Sequence, residues 1–427
     1  MATKYWLGTA AAIPEVKAYV FAGTWAADDT AWIQINGERL TLTAGTIVTV
    51  TQMALDMADM ITGAAANQDE ARSSLGNTIG EFALLTVTTS AGQVILTGPA
   101  DGRPIGDVTT GETTTGDGTF AAVGGAPDVA GTGPHHFDNV DNWSSGSVPE
   151  DGDVMVFDYR AAGDCLYALT PTSLDAAAIT IQGFRYNIGL PAVNTDTPNY
   201  PFDEHQSQYL VVTTTTAVLI DSPSAGRVKL DTGSTASAIN VLATGASSET
   251  GVPPVLIKAN HASSTLTVSG GSVGLCYEDG VTGQVSSLTL SGNMSPKVSV
   301  GPGVTIGTLA VSAGTCITRS APTVVTSYAG VTELWGGATT TLNVSGGTVY
   351  FCNPAATTHT TVWHAGGTID CTKDGRARTC TNFYAYRGAL KDPSGTITFS
   401  TGLCLYCKPS EYSLDLPPVR KYTIGSI

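Results

Sequence analysis

The sequence predicts a mainly β protein, in which a small N-terminal β domain with one helix is followed by a C-terminal parallel, right-handed β-helix. Three observations support this fold class. Only 13% of the 427 residues are charged and 49 are Gly, while Thr and Ser dominate the uncharged polar residues, a composition that suits pleated, turn-rich structure. Strand-like alternation fills much of the first part of the chain. In the second part, a strand-and-turn unit recurs about every 21 residues.

The N-terminal β domain is expected to span residues 1–130. Residues 30–35 and 40–42 alternate like strands around Asn36-Gly37 and predict a hairpin with a two-residue turn. Residues 52–62 are expected to form the helix. Core packing is favoured there over a methionine-lined recognition surface, because Met commonly fills gaps in cores. The apolar residues at helical spacing are Met53, Leu55, Met57, Met60 and Ile61.

The repeat decides the fold of the second part. Aligned segments begin at residues 266, 288, 309, 342 and 363, at separations of 22, 21, 33 and 21 residues, and one such unit is about one coil of a parallel β-helix. The long gap hides either two short coils, with an intermediate start at Val325, or one coil with a long loop. Alternation along the strands predicts one interior ladder formed by Val268, Leu290, Val311 and Val344.

Three boundaries follow from this repeat. Residues 131–160 combine aromatic, turn and proline residues with a short strand, so they are expected to cap the open end of the stack and link the domains. Residues 161–405 are assigned to the β-helix. Residues 406–427 are assigned to a C-terminal cap or tail.

The charge balance argues against two classes of partner. The chain has 20 Lys and Arg against 36 Asp and Glu, a formal net charge of −16, so attraction to nucleic acid or to an anionic membrane is not expected. The sequence has no apolar run typical of a signal peptide or a bilayer-spanning segment. Synthesis and retention in the cytoplasm are therefore expected.

The cysteines and histidines do not match metal-site spacings. The eight cysteines are interpreted as buried thiols rather than a disulfide framework, and Cys404-Leu-Tyr-Cys407 lacks the second pair that a zinc site needs. His135-His136 stands near several aspartates at spacings that fit neither zinc nor calcium, so a capping turn is favoured. No catalytic residue, metal or cofactor is predicted. The aspartates are Asp138, Asp141 and Asp153.

Acidic residues on or near the coils raise the alternative of glycan cleavage. That chemistry needs two carboxyl groups roughly 5 to 9 Å apart. None of these acids lies in a distinctive motif, so solvated turn carboxylates are the preferred interpretation. The residues are Glu278, Asp279, Glu333, Asp370 and Asp374.

Three segments resemble a group of tailed-bacteriophage virion proteins that pair a small N-terminal β domain with β-helix coils. They are residues 4–8 (KYWLG), the stretch from Pro134 to Phe157, and the stretch from Asp374 to Phe399. The resemblance implies a location on the virion surface, either on the capsid or on the tail apparatus. Its motifs are structural and specify no reaction.

The favoured function is that of a virion structural protein that decorates or reinforces the capsid as a homotrimer. Its expected partners are the major capsid protein or other virion proteins. The alternative is a tail fibre or tailspike adhesin that binds, or cleaves, host surface glycans. Aromatic rings of the coils that face outward are expected to stack on sugars or on a neighbouring subunit. The basic residues near the C-terminus are expected to contact an acidic surface of a partner subunit. The candidate contacts are Trp335, Tyr350, Tyr384, Arg376 and Arg378.

Overall fold

A computed structural model describes residues 2–36, 38–46, 49–63, 81–124, 128–171, 173–191, 207–352, 355–417 and 424–425. In these ranges the protein is mainly β, with a single α-helix. Small antiparallel sheets lie near the N-terminus, and a parallel β-solenoid of about 12 turns covers the C-terminal region. The predicted fold class is confirmed.

The elements follow one another in three groups along the chain. The first strand is β1 (Thr3–Tyr5). The antiparallel domain contains β2 (Val16–Ala22), β3 (Thr30–Ile35), β4 (Glu38–Thr43), α1 (Val50–Thr62), a 3-10 turn (Glu81–Leu84), β5 (Thr86–Ser90), β6 (Gln93–Thr97), β7 (Val108–Thr113) and β8 (Thr119–Ala122). The solenoid, which includes 3-10 turns at Val140–Asn142 and Pro409–Glu411, contains β9 (Val154–Asp158), β10 (Asp175–Gln182), β11 (Leu210–Val211), β12 (Thr214–Ser222), β13 (Val228–Asp231), β14 (Ala238–Thr244), β15 (Val255–Lys258), β16 (Thr265–Leu275), β17 (Thr282–Val300), β18 (Gly303–Val311), β19 (Thr315–Thr318), β20 (Val324–Ser327), β21 (Val331–Leu334), β22 (Thr341–Val344), β23 (Thr348–Phe351), β24 (Thr357–His364), β25 (Thr368–Asp370), β26 (Arg378–Ala385), β27 (Gly388–Lys391), β28 (Ile397–Phe399), β29 (Leu403–Leu405), β30 (Tyr412–Asp415) and β31 (Ile424–Gly425).

The antiparallel domain consists of two sheets, in the strand orders β5-β6-β2-β8 and β4-β3-β7. The predicted hairpin is confirmed: β3 and β4 pair along their whole length, and Asn36 takes a left-handed φ of 47° in the turn between them. This conformation is the one that a two-residue primed turn requires. The register places Ile33 and Ile35 in the core.

The predicted helix is confirmed as α1, and it packs into the core of the same domain. The Thr49 hydroxyl accepts a hydrogen bond from the Gln52 amide at its start, and Gly63 ends it with φ 77°. The three methionines and Ile61 are buried, which confirms the core interpretation. Leu55 differs, because it is 42% exposed on the opposite side of the helix.

The first strand lies outside this domain. β1 pairs in parallel with β9, with Thr3 opposite Val154, so the chain begins in the solenoid and reaches the antiparallel domain afterwards. The assignment of residues 1–130 to one N-terminal domain is corrected at this point. Isolated bridges from Ile13 to Thr132 and from Val16 to Val129 then join the segments that enter and leave the domain.

Buried aromatic rings cover the first turn of the solenoid. The Trp6 ring lies edge-on to Trp143 at 5.3 Å and 6.1 Å from Phe157. The Trp6 indole N–H donates to the Gly163 carbonyl, and that of Trp143 donates to the Phe137 carbonyl. Residues 131–160 also contain β9, which is a strand of the stack itself and pairs with β10.

The interior ladder predicted from the repeat is present. Val268 pairs with Leu290 and Leu290 with Val311, and all three side chains are fully buried. Ser327 then stands between Val311 and Val344 on the next rungs. Each coil therefore buries its apolar face against its neighbours, as a solenoid requires.

The register between residues 309 and 363 resolves the irregular spacing. Leu309 pairs with Val325, and Val325 with Leu342, so two short coils of 16 and 17 residues occupy the long gap. The start of the fifth segment was wrong by one residue, since Val362 rather than Trp363 lies opposite Leu342. A shift of one residue reverses the face of a strand side chain, and Trp363 consequently points outward.

The described residues near the C-terminus continue the stack. β30 pairs with β27, and β31 pairs with β29, so these two strands belong to the solenoid rather than to a separate cap or tail. All eight cysteines are free thiols, and six are buried, as expected. Burial raises the pKa of the Cys316 and Cys380 thiols to about 12.

Candidate functional site

The two candidate arginines lie in different environments. Arg378 is 1% exposed, and its guanidinium donates to the Phe351 carbonyl at 2.7 Å and to the Thr396 hydroxyl at 2.9 Å. The prediction that it contacts a partner is wrong, because its hydrogen bonds hold neighbouring coils together. Arg376 has a side chain that is 58% exposed, with its Nε 3.9 Å from Asp374.

Trp335 and Tyr350 belong to one polar network on the outside of the solenoid. The Trp335 indole donates to the Glu333 carboxylate at 3.0 Å. Lys373 pairs with the same carboxylate and lies 4.0 Å from the centre of the Tyr350 ring. The hydrogen bond to Glu333 raises the pKa of Lys373. One face of Tyr350 is therefore occupied, while Trp335 stays 37% exposed.

Tyr384 lies within a group of neighbouring aromatic side chains that we call the aromatic row. Its members are Trp363, Tyr384, Tyr386 and Tyr406. The Tyr384 ring stacks on Trp363 at 4.4 Å, and Tyr386 stacks on Tyr406 at 4.9 Å. Stacking along the solenoid covers the faces that these rings turn toward one another, and carbohydrate recognition uses ring faces. The aromatic row thus presents mainly ring edges, which suit a protein neighbour better than a sugar.

Two of the predicted turn carboxylates are structural. Asp370 is 6% exposed, accepts hydrogen bonds from Thr372, and lies 3.8 Å from the Lys391 ammonium. The expectation that it is solvated is wrong. Asp374 lies 3.5 Å from the buried Arg378 guanidinium. Neither carboxylate belongs to an open site.

A recess of about 660 Å³, called the lateral groove below, lies on the outside of the solenoid. Its floor includes Ser299 of β17 and Ile317 of β19, which are partners on adjacent rungs. Its sides come from two coil loops, around residues 249–252 and 277–279, and from long side chains at the rim. The residues that bear charge or an aromatic ring are Glu249, Tyr277, Glu278, Asp279, Lys297 and Arg319.

A fully buried lysine supports one side of this groove. The Lys229 ammonium lies 3.3 Å from Glu278 Oε1 and 3.9 Å from Glu249 Oε1. The Ser207 hydroxyl donates to Glu278 and accepts from Lys229. Arg227 adds a second cation 3.7 Å from Glu249. A buried charge needs such pairing, since desolvation of an unpaired ion is costly.

The pKa of Glu278 bears on what the groove can do. Burial raises this pKa, but the Ser207 hydrogen bond and the Lys229 ammonium outweigh burial and hold it below its ordinary value. Glu278 is therefore ionised at neutral pH and accepts hydrogen bonds. Glycoside hydrolysis needs a protonated carboxyl group as general acid, which Glu278 does not supply.

The sequence did not reveal this groove. Lys229, Glu249 and Glu278 stand far apart along the chain and share no local motif. They meet because successive coils stack, and the length of each loop sets which residues face one another. Glu278 was expected to be a solvated turn residue, yet only 23% of its side chain is exposed.

The histidines near residue 135 serve the cap. His136 is buried, and its Nε2 lies 2.8 Å from the Gly102 carbonyl oxygen. Asp153 pairs with Lys4 at 3.0 Å. Within the described ranges, no group of three His, Cys, Asp or Glu side chains has the geometry to hold a metal ion.

No protein family, curated protein or solved structure matches this chain. Within the part of the chain that the structure describes, no helix is long and apolar enough to span a bilayer. The function is therefore argued from the fold and from the arrangement of its side chains.

Proposed function

We propose that this protein is an external structural component of a tailed-bacteriophage particle, in which the antiparallel domain docks on the capsid and the solenoid projects from it. The observation that carries the proposal is the continuous interior of the solenoid. Apolar side chains pack from the aromatic cap at Trp6 to the last rungs near Tyr412 as a single cluster. Close-packed interiors deform little, so this stack is suited to a stiff projection.

The position of the antiparallel domain supports a separate docking role. It has its own hydrophobic core, and the bridges from Ile13 to Thr132 and from Val16 to Val129 pair the two segments that connect it to the solenoid. One surface is thereby free to bind the major capsid protein while the stack extends elsewhere. In a homotrimer, the exposed ring edges of the aromatic row are the contacts that we assign to the neighbouring subunit.

Binding to purified phage capsids tests the proposal. The full chain should cosediment with capsids that lack it, and labelled protein should appear on the capsid surface in electron micrographs. A chain that carries changes in the antiparallel domain surface should lose this association while its solenoid stays folded. Labelled density confined to the tail, with no cosedimentation, would contradict the capsid assignment.

The adhesin alternative is favoured by one observation, the lateral groove. A charged recess is not needed by a purely architectural rod. Cleavage of glycans has less support, because Glu278 is ionised through Lys229 and Ser207. Incubation with host polysaccharide separates binding from cleavage, since a lyase or hydrolase releases new chain ends and an adhesin does not.

A further inference from the structure

The lateral groove is a preformed recess that capsid decoration does not use. Its volume of about 660 Å³ falls in the usual range for ligand sites, roughly 300 to 1,000 Å³. The Tyr277 hydroxyl donates to the Gly251 carbonyl at 3.2 Å and so joins the two loops that form its sides. Arg319 donates to the Tyr277 carbonyl at 2.6 Å. These bonds fix the walls before any ligand arrives, which lowers the entropy lost on binding.

Most of the charges in the groove are already balanced. Glu278 and Glu249 lie beside Lys229, and Asp279 pairs with Arg319 at 3.1 Å. A carboxylate that is paired in this way still has acceptor sites left, because its two oxygens offer about four. Glu278 and Asp279, which reach the surface of the groove, are therefore suited to accept hydrogen bonds from uncharged hydroxyl groups rather than to attract a cation.

Lys297 supplies the unbalanced charge. It is exposed at the rim and forms no ion pair with any residue in the described ranges. Its position beside Ser299 and Ile317 places a cation over the floor of the groove. A ligand that satisfies both features carries several hydroxyl groups and at least one negative charge.

We infer that the lateral groove binds an acidic oligosaccharide, whose hydroxyl groups donate to Glu278 and Asp279 and whose carboxylate or sulfate lies beside Lys297. The inference goes beyond the architectural role and does not depend on where the particle carries the protein. It also gives the adhesin alternative a site other than Trp335, Tyr350 and Tyr384. A basic peptide fits less well, because Lys297 and Arg319 would repel its positive charges and the carboxylates of the groove are already paired with cations of the protein.

Calorimetric titration of the full chain tests the inference. The probes are oligosaccharides of equal length that contain uronic acid, sialic acid or sulfate, together with a neutral one. Two groove variants are compared with the parent: Lys297→Gln removes the unpaired cation, and Ser299→Trp fills the floor. Arg185→Gln, at an exposed arginine outside the groove, is the matched control. Melting curves establish that each variant is folded.

At least one acidic probe should bind the parent protein more tightly than the neutral one does. Lys297→Gln should weaken this binding roughly tenfold, as expected for the loss of one charge-assisted contact, and Ser299→Trp should abolish it. Arg185→Gln should leave it unchanged. The inference is overturned if no acidic probe binds at millimolar concentration, if both groove variants bind like the parent, or if the neutral probe binds equally well. Capsid association is measured separately, so the two proposals fail independently.

Discussion

Replacement of Leu290 by Ala tests how much one rung of the interior ladder contributes to stability. Leu290 is fully buried between Val268 and Val311 on the adjacent rungs. Removal of a buried leucine side chain costs about 2 to 5 kcal/mol, the larger values applying where the surroundings do not collapse into the cavity. The value here should lie in the upper half of that range, because hydrogen bonds to both neighbouring coils hold the strand in place. Leu290→Asp should prevent folding, since it buries an unpaired charge.

Thermal unfolding measured by circular dichroism provides the assay. At about 2 to 4 °C per kcal/mol for a domain of 150 to 250 residues, Leu290→Ala should lower the midpoint by roughly 7 to 20 °C. The control is Thr289→Ala, one residue away on the outer face of the same strand, which should change the midpoint by less than about 2 °C. Equal midpoints for the two variants would refute the inward assignment of Leu290.

Three further predictions concern buried side chains: one histidine, one arginine and the cysteine thiols. Burial lowers the pKa of His359 to about 4, so the unfolded chain takes up a proton first as the pH falls below about 6.5. The contribution of this residue to stability should be constant above that pH and fall by roughly 3 kcal/mol by pH 4. A urea titration of His359→Phe should show a loss smaller than that of the parent by about this amount, while His364, whose pKa is also lowered to about 4, contributes equally to both proteins. Arg378→Met should cost about 3 to 5 kcal/mol because it leaves the Asp374 carboxylate and the buried Phe351 carbonyl without their cation, whereas Arg376→Met should be nearly silent in the same titration. A thiol reagent should modify at most Cys404 and Cys407 in the folded protein and all eight thiols in denaturant; rapid modification of more than two in the native state would contradict the buried positions.

The fold was predictable because the strands of successive coils carry the same pattern of apolar residues and Ser. Leu266, Leu288 and Leu309 each have Ser three residues later, and stacking of similar coils follows from that spacing. The register near Trp363 was not predictable by the same means. Val362 and Trp363 are both apolar, and alternation alone does not decide which of two adjacent apolar residues faces inward.

The site was less predictable than the fold. Sequence reasoning identified Glu278 but assigned it to a solvated turn, and it gave no role to Lys229 or Glu249. Nothing local marks a lysine whose partners lie on other coils. Arg378 was misassigned for a related reason, since a basic residue in an acidic chain is usually exposed, whereas here its two terminal nitrogens donate to the Thr396 hydroxyl and the Phe351 carbonyl inside the stack.

Engineered disulfides test the central claim, the stacking of successive coils in the observed register, most directly. Ala310 and Thr326 are partners on adjacent rungs, and Asn343 lies opposite Thr326 on the next one. Neighbouring strands stand about 4.8 Å apart, within the 4.4 to 6.8 Å that a disulfide spans between Cα atoms, whereas two rungs exceed it. The double variant Ala310→Cys/Thr326→Cys should therefore oxidise readily to an intramolecular disulfide, and Ala310→Cys/Asn343→Cys should not. The opposite result would show one long coil in place of two short ones, and failure of both pairs would contradict the stacked solenoid.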